Sequence, residues 1–305
     1  MIAIEQVTKT FETFAAVKKL SCTIGAGSVY GLVGSNGAGK STLLRLITGI
    51  YRPDSGCITL DGAPVYENPE AKCRMAFVPD DLYFLPQANM ERMALLYASI
   101  YERFSDKRFR KLAKAFRLDT KKKIGSFSKG MRRQAATILA LAAQPDYLFF
   151  DETFDGLDPI MRELVKKVIY SDICERNATA VITSHSLREL EDTCDQLALL
   201  HQGGLVFEQD VEHLKTALFK VQIAFPDSFD RNRFADIILR HYEQNGRVAN
   251  MIVADDREKT IEKLKAMSPT LLDVLSLSLE EVCLYEMDAL GYSLQGVLDN
   301  EGEDI

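Results

Sequence analysis

Residues 34–41 read Gly34-Ser35-Asn36-Gly37-Ala38-Gly39-Lys40-Ser41, with Thr42 following. This is a complete G-x-x-x-x-G-K-S pattern, and its residue types suit one task, holding a polyphosphate. Glycines let the backbone come close to the phosphates and aim successive N–H groups at them. A helix beginning near Lys40 would add its positive dipole end. Lys40 would reach the β- and γ-phosphates as a point charge, and the Ser41 hydroxyl would ligate Mg²⁺. A second pair of residues complements the loop. Phe149-Phe150-Asp151-Glu152 ends an apolar run on two adjacent carboxylates. Asp151 can hold the same Mg²⁺, directly or through water. Glu152 points elsewhere, and could orient or deprotonate an attacking water.

A strand must lead into the loop and a helix must leave it. Residues 28–33 form a short, mostly apolar run that suits a buried parallel strand, and residues 41–47 have helical spacing. Residues 147–150 and 179–183 read as further buried strands, with helices over residues 130–144, 157–174 and 187–194. Residues 197–200 and 205–207 read as a hairpin across Gln202-Gly203-Gly204. Buried strands alternating with helices predict a mainly parallel α/β core. Residues 1–85 read as strands and turns around the loop, with turn signals at Asp54-Ser55-Gly56 and Asp61-Gly62. Residues 90–116 carry helical periodicity and many charges, and Lys121-Lys122-Lys123 reads as a solvated loop. After about residue 215 the pattern restarts. A strand is predicted over 221–225, a helix near 233–242, a strand over 247–254 and helices over 259–267 and 276–287. This small α/β appendage carries no catalytic motif, and the acidic tail at 299–304 reads as frayed.

The chain has 305 residues, enough for one large or two ordinary domains, and its 47% hydrophobic content is ample for a packed core. A formal net charge of −7 argues against broad, non-specific nucleic-acid binding. Residues 1–7 alternate like a strand rather than a signal peptide. No apolar stretch approaches the roughly 18 residues of a membrane span, so none is expected. The six cysteines (Cys22, Cys57, Cys73, Cys174, Cys194 and Cys283) are scattered without a C-x-x-C pair, as for thiols in a reducing cytosol. Neither they nor the four histidines show metal-ligand spacing.

Three further motifs carry a resemblance. Ser126-Phe127-Ser128-Lys129-Gly130-Met131-Arg132 lies between the two nucleotide motifs, Asp155-Gly156-Leu157-Asp158 follows the carboxylates, and His185 follows the strand Val181-Ile182-Thr183-Ser184. In this order the motifs resemble the nucleotide-binding subunit of an ATP-binding cassette (ABC) transporter of the bacterial exporter type, over about residues 1–215. The resemblance implies an α/β fold: a P-loop NTPase (RecA-like) core with an antiparallel β subdomain and a helical insertion over about 86–145. Residues 216–305 would form a small C-terminal accessory α/β domain. Phe11 matches the aromatic that stacks on adenine. Ser128 and Gly130 match the signature that caps the γ-phosphate held by the opposite subunit, and Ser128 would also cap its own helix. Asp158 matches the loop linking the two sites across the dimer, and His185 the histidine that contacts the γ-phosphate.

The match has departures. The usual signature Leu-Ser-Gly-Gly-Gln is here Phe127-Ser128-Lys129-Gly130-Met131, and the usual Pro after the Asp-Glu pair is Thr153. Where the family has a glutamine that touches Mg²⁺ and senses the membrane partner, Ala76-Phe77-Val78-Pro79-Asp80 places Asp80; Gln87 lies too far along. A carboxylate there could still ligate the metal. By resemblance the cofactors are ATP and Mg²⁺, with Glu152, His185 and Lys40 catalytic and Ser41, Asp151 and Asp80 around the metal. One complete motif set makes a homodimer simpler than an internal pair. A separate transmembrane permease would form the pore, with Tyr83, Phe84 and Leu85 helping to line the groove for its cytoplasmic helix. The chain would then sit on the cytoplasmic face of the cell membrane. The alternative is a soluble cassette ATPase acting on ribosomes or DNA. Such proteins usually carry tandem cassettes or a long coiled coil, and neither pattern occurs here.

Overall fold

The computed structural model of the chain describes residues 1–154 and 157–289. Two compact units are formed, Met1–Glu208 and Gln209–Ile305.

The first unit begins with an antiparallel hairpin of β1 (Ile2–Phe11) and β2 (Phe14–Ile24). Alternation, shifted by bulges between Ile4 and Val7 and between Leu20 and Val17, places Ile2, Ile4, Val7, Val17, Leu20 and Ile24 on one buried face. Next, β3 (Val29–Val33) is buried at every position, as a central parallel strand must be. The phosphate loop connects it to α1 (Lys40–Ile47). Strands β4 (Ser55–Leu60) and β5 (Ala63–Pro64) complete a four-stranded sheet of order β2-β1-β4-β5. The inner face of that sheet, Leu43, Leu44, Leu46 and Ile47 of α1, and Tyr30 and Leu32 of β3 form one apolar cluster. Helix α1 is therefore gripped by apolar side chains from both sheets, which fixes where its N-terminus points.

Helix α2 (Pro69–Cys73) leads into β6 (Met75–Val78). The helical insertion follows as α3 (Met90–Ile100), α4 (Asp106–Ala115) and α5 (Lys129–Ala142). Asn89, Ser105 and Ser128 each accept a backbone N–H three residues on, the bond that starts a helix. From Arg133 to Ala142 every residue of α5 is buried, as in a helix enclosed on all sides. The chain returns through β7 (Tyr147–Phe150), α6 (Pro159–Arg176), β8 (Thr179–Ser184), α7 (Leu187–Glu191), β9 (Gln196–His201) and β10 (Gly204–Asp210). The second sheet has the order β10-β9-β3-β8-β7-β6, with β3, β6, β7, β8 and β9 parallel. Among the described residues no helix is long and apolar enough to cross a membrane.

In the second unit, α8 (Val211–Ala217) precedes β11 (Phe219–Ala224), β12 (Leu239–Asn245), β13 (Val248–Val253), α9 (Arg257–Ala266), β14 (Leu271–Ser276) and α10 (Leu279–Ala289). The antiparallel sheet has the order β12-β13-β11-β14. The helix expected near 233–242 is absent: residues 231–234 make a short 3-10 turn, and the chain then enters β12. Pairing with β13 places Leu239 and Tyr242 against the cluster around Phe225 and Phe234, and that packing overrides local helical spacing. The helix expected from 276 begins at Leu279, because residues 271–276 pair with β11. Ser278 and Glu281 exchange hydrogen bonds as a capping box at that start. The acidic tail lies outside the described residues.

Asp172 of α6 is fully buried, paired with Arg108 of α4 and, at 2.9 Å, with Arg176. It pins the helical insertion to the sheet-backing helix. Asp172→Ala leaves two largely buried guanidinium groups without their carboxylate and should lower unfolding free energy by about 3–5 kcal/mol in a urea titration. A loss under about 1 kcal/mol would show that the pair is not what anchors the insertion.

Candidate functional site

The phosphate loop lines an open cleft of about 390 Å³, together with Phe14, Ala16, Asp80, Glu152 and His185. Two of its glycines are required by geometry. Gly37 has φ 82° with open space where a side chain would stand. Gly39 has φ 104°, and a Cβ there would lie 2.4 Å from the Ala16 carbonyl oxygen. The Gly39 carbonyl accepts the N–H of Leu43 at 2.8 Å, so α1 starts directly off this turn. Its dipole and first N–H groups are thereby directed at the loop. Lys40 is only 5% exposed; its Nζ donates to the Gly34 carbonyl at 2.6 Å and the Ser35 carbonyl at 3.3 Å, and pairs with Glu152 Oε1 at 3.2 Å.

Because β3, β7 and β8 are parallel neighbours, their C-terminal ends come together beside the loop. Asp151, just past β7, is completely buried, and its Oδ1 accepts the hydroxyls of Ser41 at 2.9 Å and Thr183 at 2.8 Å. Its Oδ2 is equally buried and has no hydrogen-bond partner. Burial pushes the Asp151 carboxyl up from its ordinary value, against the lowering effect of those hydroxyls. An unsatisfied buried carboxylate oxygen beside a serine hydroxyl is a hard-oxygen donor set that fits Mg²⁺.

Glu152 takes φ 48°, unusual for a residue with a side chain. Its N–H donates to Thr183 Oγ1 at 2.9 Å, and its carbonyl accepts Arg133 Nη1 at 2.8 Å. The turn sends the carboxylate into the cleft, where Oε2 lies 3.0 Å from His185 Nδ1. Loop, acid pair and histidine, far apart in sequence, meet in one place. Asp80 lines the same cleft, but its carboxylate is ion-paired to Arg133 of α5.

Other sequence-predicted residues lie elsewhere. Phe11 closes β1 and packs edge-on to Tyr51, with ring centroids 5.4 Å apart. The aromatic that lines the cleft is Phe14, its partner across the hairpin. Ser128 caps α5, Gly130 lies in the first turn of that helix, and Asp158 caps α6 through Met161 N–H at 3.0 Å; none of the three lines the cleft. Tyr83 and Leu85 are exposed and Phe84 is half-buried. Asp155 and Gly156 lie outside the described residues. Sequence reasoning missed Phe14, Thr183 and Arg133. A threonine in an apolar strand directly before Ser-His was the one available signal, for Thr183.

Comparison with known proteins adds the following. The family model described as ABC transporter matches residues 17–155. The ABC transporter ATP-binding protein YtrB of Bacillus subtilis is 29% identical, covering 92% of this chain and 96% of its own. The bacitracin transport ATP-binding protein BcrA of Bacillus licheniformis is 30% identical over 80% of each chain. The Nod factor export ATP-binding protein I of Burkholderia lata is also 30% identical, over 83% of this chain and 86% of its own. Among solved structures, an ATP-binding subunit of an ABC transporter superposes with a TM-score of 0.65 at 23% identity, covering 70% of this chain and 92% of that one. The dimeric cassette MJ0796 bound to ADP and Pi superposes at 0.64, with 22% identity and 69% and 99% coverage. These likenesses establish the shared fold.

Gly39 generates a prediction. Gly39→Ala places a methyl group against the Ala16 backbone and forces alanine into a left-handed conformation costing roughly 1–2 kcal/mol by itself. Affinity for a fluorescent ATP analogue should fall at least about tenfold, and the melting temperature by several degrees. Unchanged affinity would mean that the loop tolerates a different path.

Proposed function

The chain belongs to the ABC transporter ATP-binding family and is an ATPase of that family, and on this premise we propose that it drives export through a separate membrane permease by closing as a homodimer on ATP and Mg²⁺. Subunits of this family work with transmembrane components and dimerise. Outward transport is supported by a relative named for Nod factor export. The observation that carries the proposal is the convergence of residues 35–42, Glu152 and His185 on one cleft, with Asp151 bonded to Ser41 behind it.

The residues then divide the work. The N–H groups of residues 35–42 and the α1 dipole hold the phosphates. Lys40 exchanges its pairing with Glu152 for the β- and γ-phosphates, which frees the Glu152 carboxylate to take a proton from water. His185, already within hydrogen-bond distance of Glu152, orients that carboxylate and contacts the γ-phosphate. Ser41 and Asp151 would hold Mg²⁺, which would supply positive charge to the phosphates. Phe11 and Phe14 are the aromatics at the hairpin end available to the adenine. Ser128, Gly130 and Asp158 are placed to act on the second copy's nucleotide, which accounts for their distance from their own cleft. The assembly belongs at the cytoplasmic face of the membrane, where the permease presents its helices to exposed Tyr83 and Leu85.

Purification from detergent-solubilised cells should recover a multi-span membrane protein in stoichiometric amount. Recovery of ribosomal or DNA-bound partners instead would discard the transport reading and leave the ATPase. Glu152→Gln should bind ATP with near-unchanged affinity, hydrolyse it roughly 10²–10⁴-fold more slowly and elute as an ATP-dependent dimer in size-exclusion chromatography. Wild-type turnover in that variant would remove Glu152 as the base.

A further inference from the structure

Arg133 is a fully buried arginine, 1% exposed, on α5. It lies in the second turn of that helix, shortly after Ser128 and Gly130. Its guanidinium donates from Nη1 to the Glu152 carbonyl at 2.8 Å, and from Nη2 to the Asp80 carbonyl at 3.3 Å. It also forms the ion pair with the Asp80 carboxylate. One planar fork therefore ties the helix that begins at Ser128 to two other segments: the peptide that aims Glu152, and the loop beyond β6 that leads to exposed Tyr83. A buried guanidinium needs a counter-charge, and Asp80 supplies it.

We infer that Arg133 is a positioning residue, coupling the placement of α5 to the aim of the Glu152 carboxylate, and that Asp80 serves as its counter-ion rather than as a metal ligand. The inference rests on the ATPase reading and deepens it. Glu152 holds its left-handed φ of 48° with its N–H on Thr183 and its carbonyl on Arg133. The Thr183 hydroxyl belongs to a buried strand of the main sheet, whereas the arginine belongs to the helical insertion. A shift of α5 therefore reaches the peptide of Glu152 from one side only and turns its carboxylate. The same shift reaches the Asp80 loop through the second arm of the fork. The unsatisfied oxygen suited to Mg²⁺ is Asp151 Oδ2, whereas the Asp80 carboxylate is already engaged by Arg133.

The test uses the full chain with Arg133→Gln, Arg133→Lys, Asp80→Asn and the Arg133→Gln/Asp80→Asn double variant, each with its melting temperature followed. ATP turnover is measured alongside the Mg²⁺ concentration that half-saturates binding of a fluorescent ATP analogue. Arg133→Gln should lower kcat about tenfold or more with KM for ATP within about threefold, because aim is lost and binding is not. Arg133→Lys, with a point charge in place of the fork, should lower kcat severalfold and remains informative if the glutamine variant does not fold. Asp80→Asn should leave the Mg²⁺ half-saturation within about twofold, and the double variant should be no slower than Arg133→Gln by more than about twofold. A rise of about tenfold in the Mg²⁺ requirement of Asp80→Asn would make Asp80 a metal ligand and overturn the inference. So would multiplying effects in the double variant, or wild-type kcat in Arg133→Lys. A wild-type chain without ATP turnover would overturn the ATPase reading and this inference with it.

Discussion

The two hydroxyls that meet on one oxygen of Asp151 organise the site. Ser41 arrives from the first turn of α1 and Thr183 from the buried strand β8, and both donate to Oδ1. That shared bond joins the phosphate loop to the sheet and settles the rotamer of a carboxylate with no other freedom, since it is completely buried. It also leaves Oδ2 buried without a partner. Left unpaired, a buried oxygen of this kind is unfavourable by itself, and a divalent cation would offset it. Stability and ligand demand are thus two consequences of one arrangement.

Glu152 is built differently from its neighbour. Asp151 is held by its side chain and Glu152 by its backbone, with N–H on Thr183 and carbonyl on Arg133. Its carboxylate meanwhile is shared between Lys40 and His185. A side chain held at its tip by an ion pair and one ring nitrogen can be redirected when the lysine finds a better partner, whereas a side chain locked among hydroxyls cannot. The difference suits a residue that must change its hydrogen-bond partner during a turnover beside one that must not. Family membership says that ATP is hydrolysed; in the mechanism we propose, this contrast in restraint is the reason Glu152 rather than Asp151 takes part.

Much of this was legible because the chemistry depends on backbone shape. A loop that needs φ 104° at Gly39 and a lysine directly after it writes itself into the letters. Asp-Glu after a run of phenylalanines reads equally directly. Thr183 and Arg133 were illegible for opposite reasons. Threonine is at home in any strand, so its hydroxyl gives no sign that it joins two motifs. Arginine in a helix ordinarily faces water, and no spacing rule foretells that α5 would be enclosed on all sides from Arg133 onward. Phe11 drew attention ahead of Phe14 because hairpin register, not composition, decides which ring faces the cleft. In the second unit the misread helix and the unforeseen β14 share a cause: both segments are strands because β13 and β11 offer them partners.

Charge at the cleft argues for the metal independently of any likeness. Asp80, Asp151 and Glu152 bring three carboxylates, and Lys40 and Arg133 bring two buried cations. Both cations are already paired, Lys40 with Glu152 and Arg133 with Asp80, so neither matches Asp151, which feels the charge of Arg45 without an ion pair. A polyphosphate entering this cleft meets helix N–H groups and a lysine that must first release a carboxylate. Those groups oppose repulsion from Asp151, which lies next to the Ser41 hydroxyl at the same helix start. A divalent cation held by Asp151 and Ser41 would replace that repulsion with attraction. It would also oppose the effect of burial on the Asp151 carboxyl, since a neighbouring cation favours the ionised form that burial alone disfavours. Nucleotide and Mg²⁺ should therefore bind here as a unit, each weakly without the other.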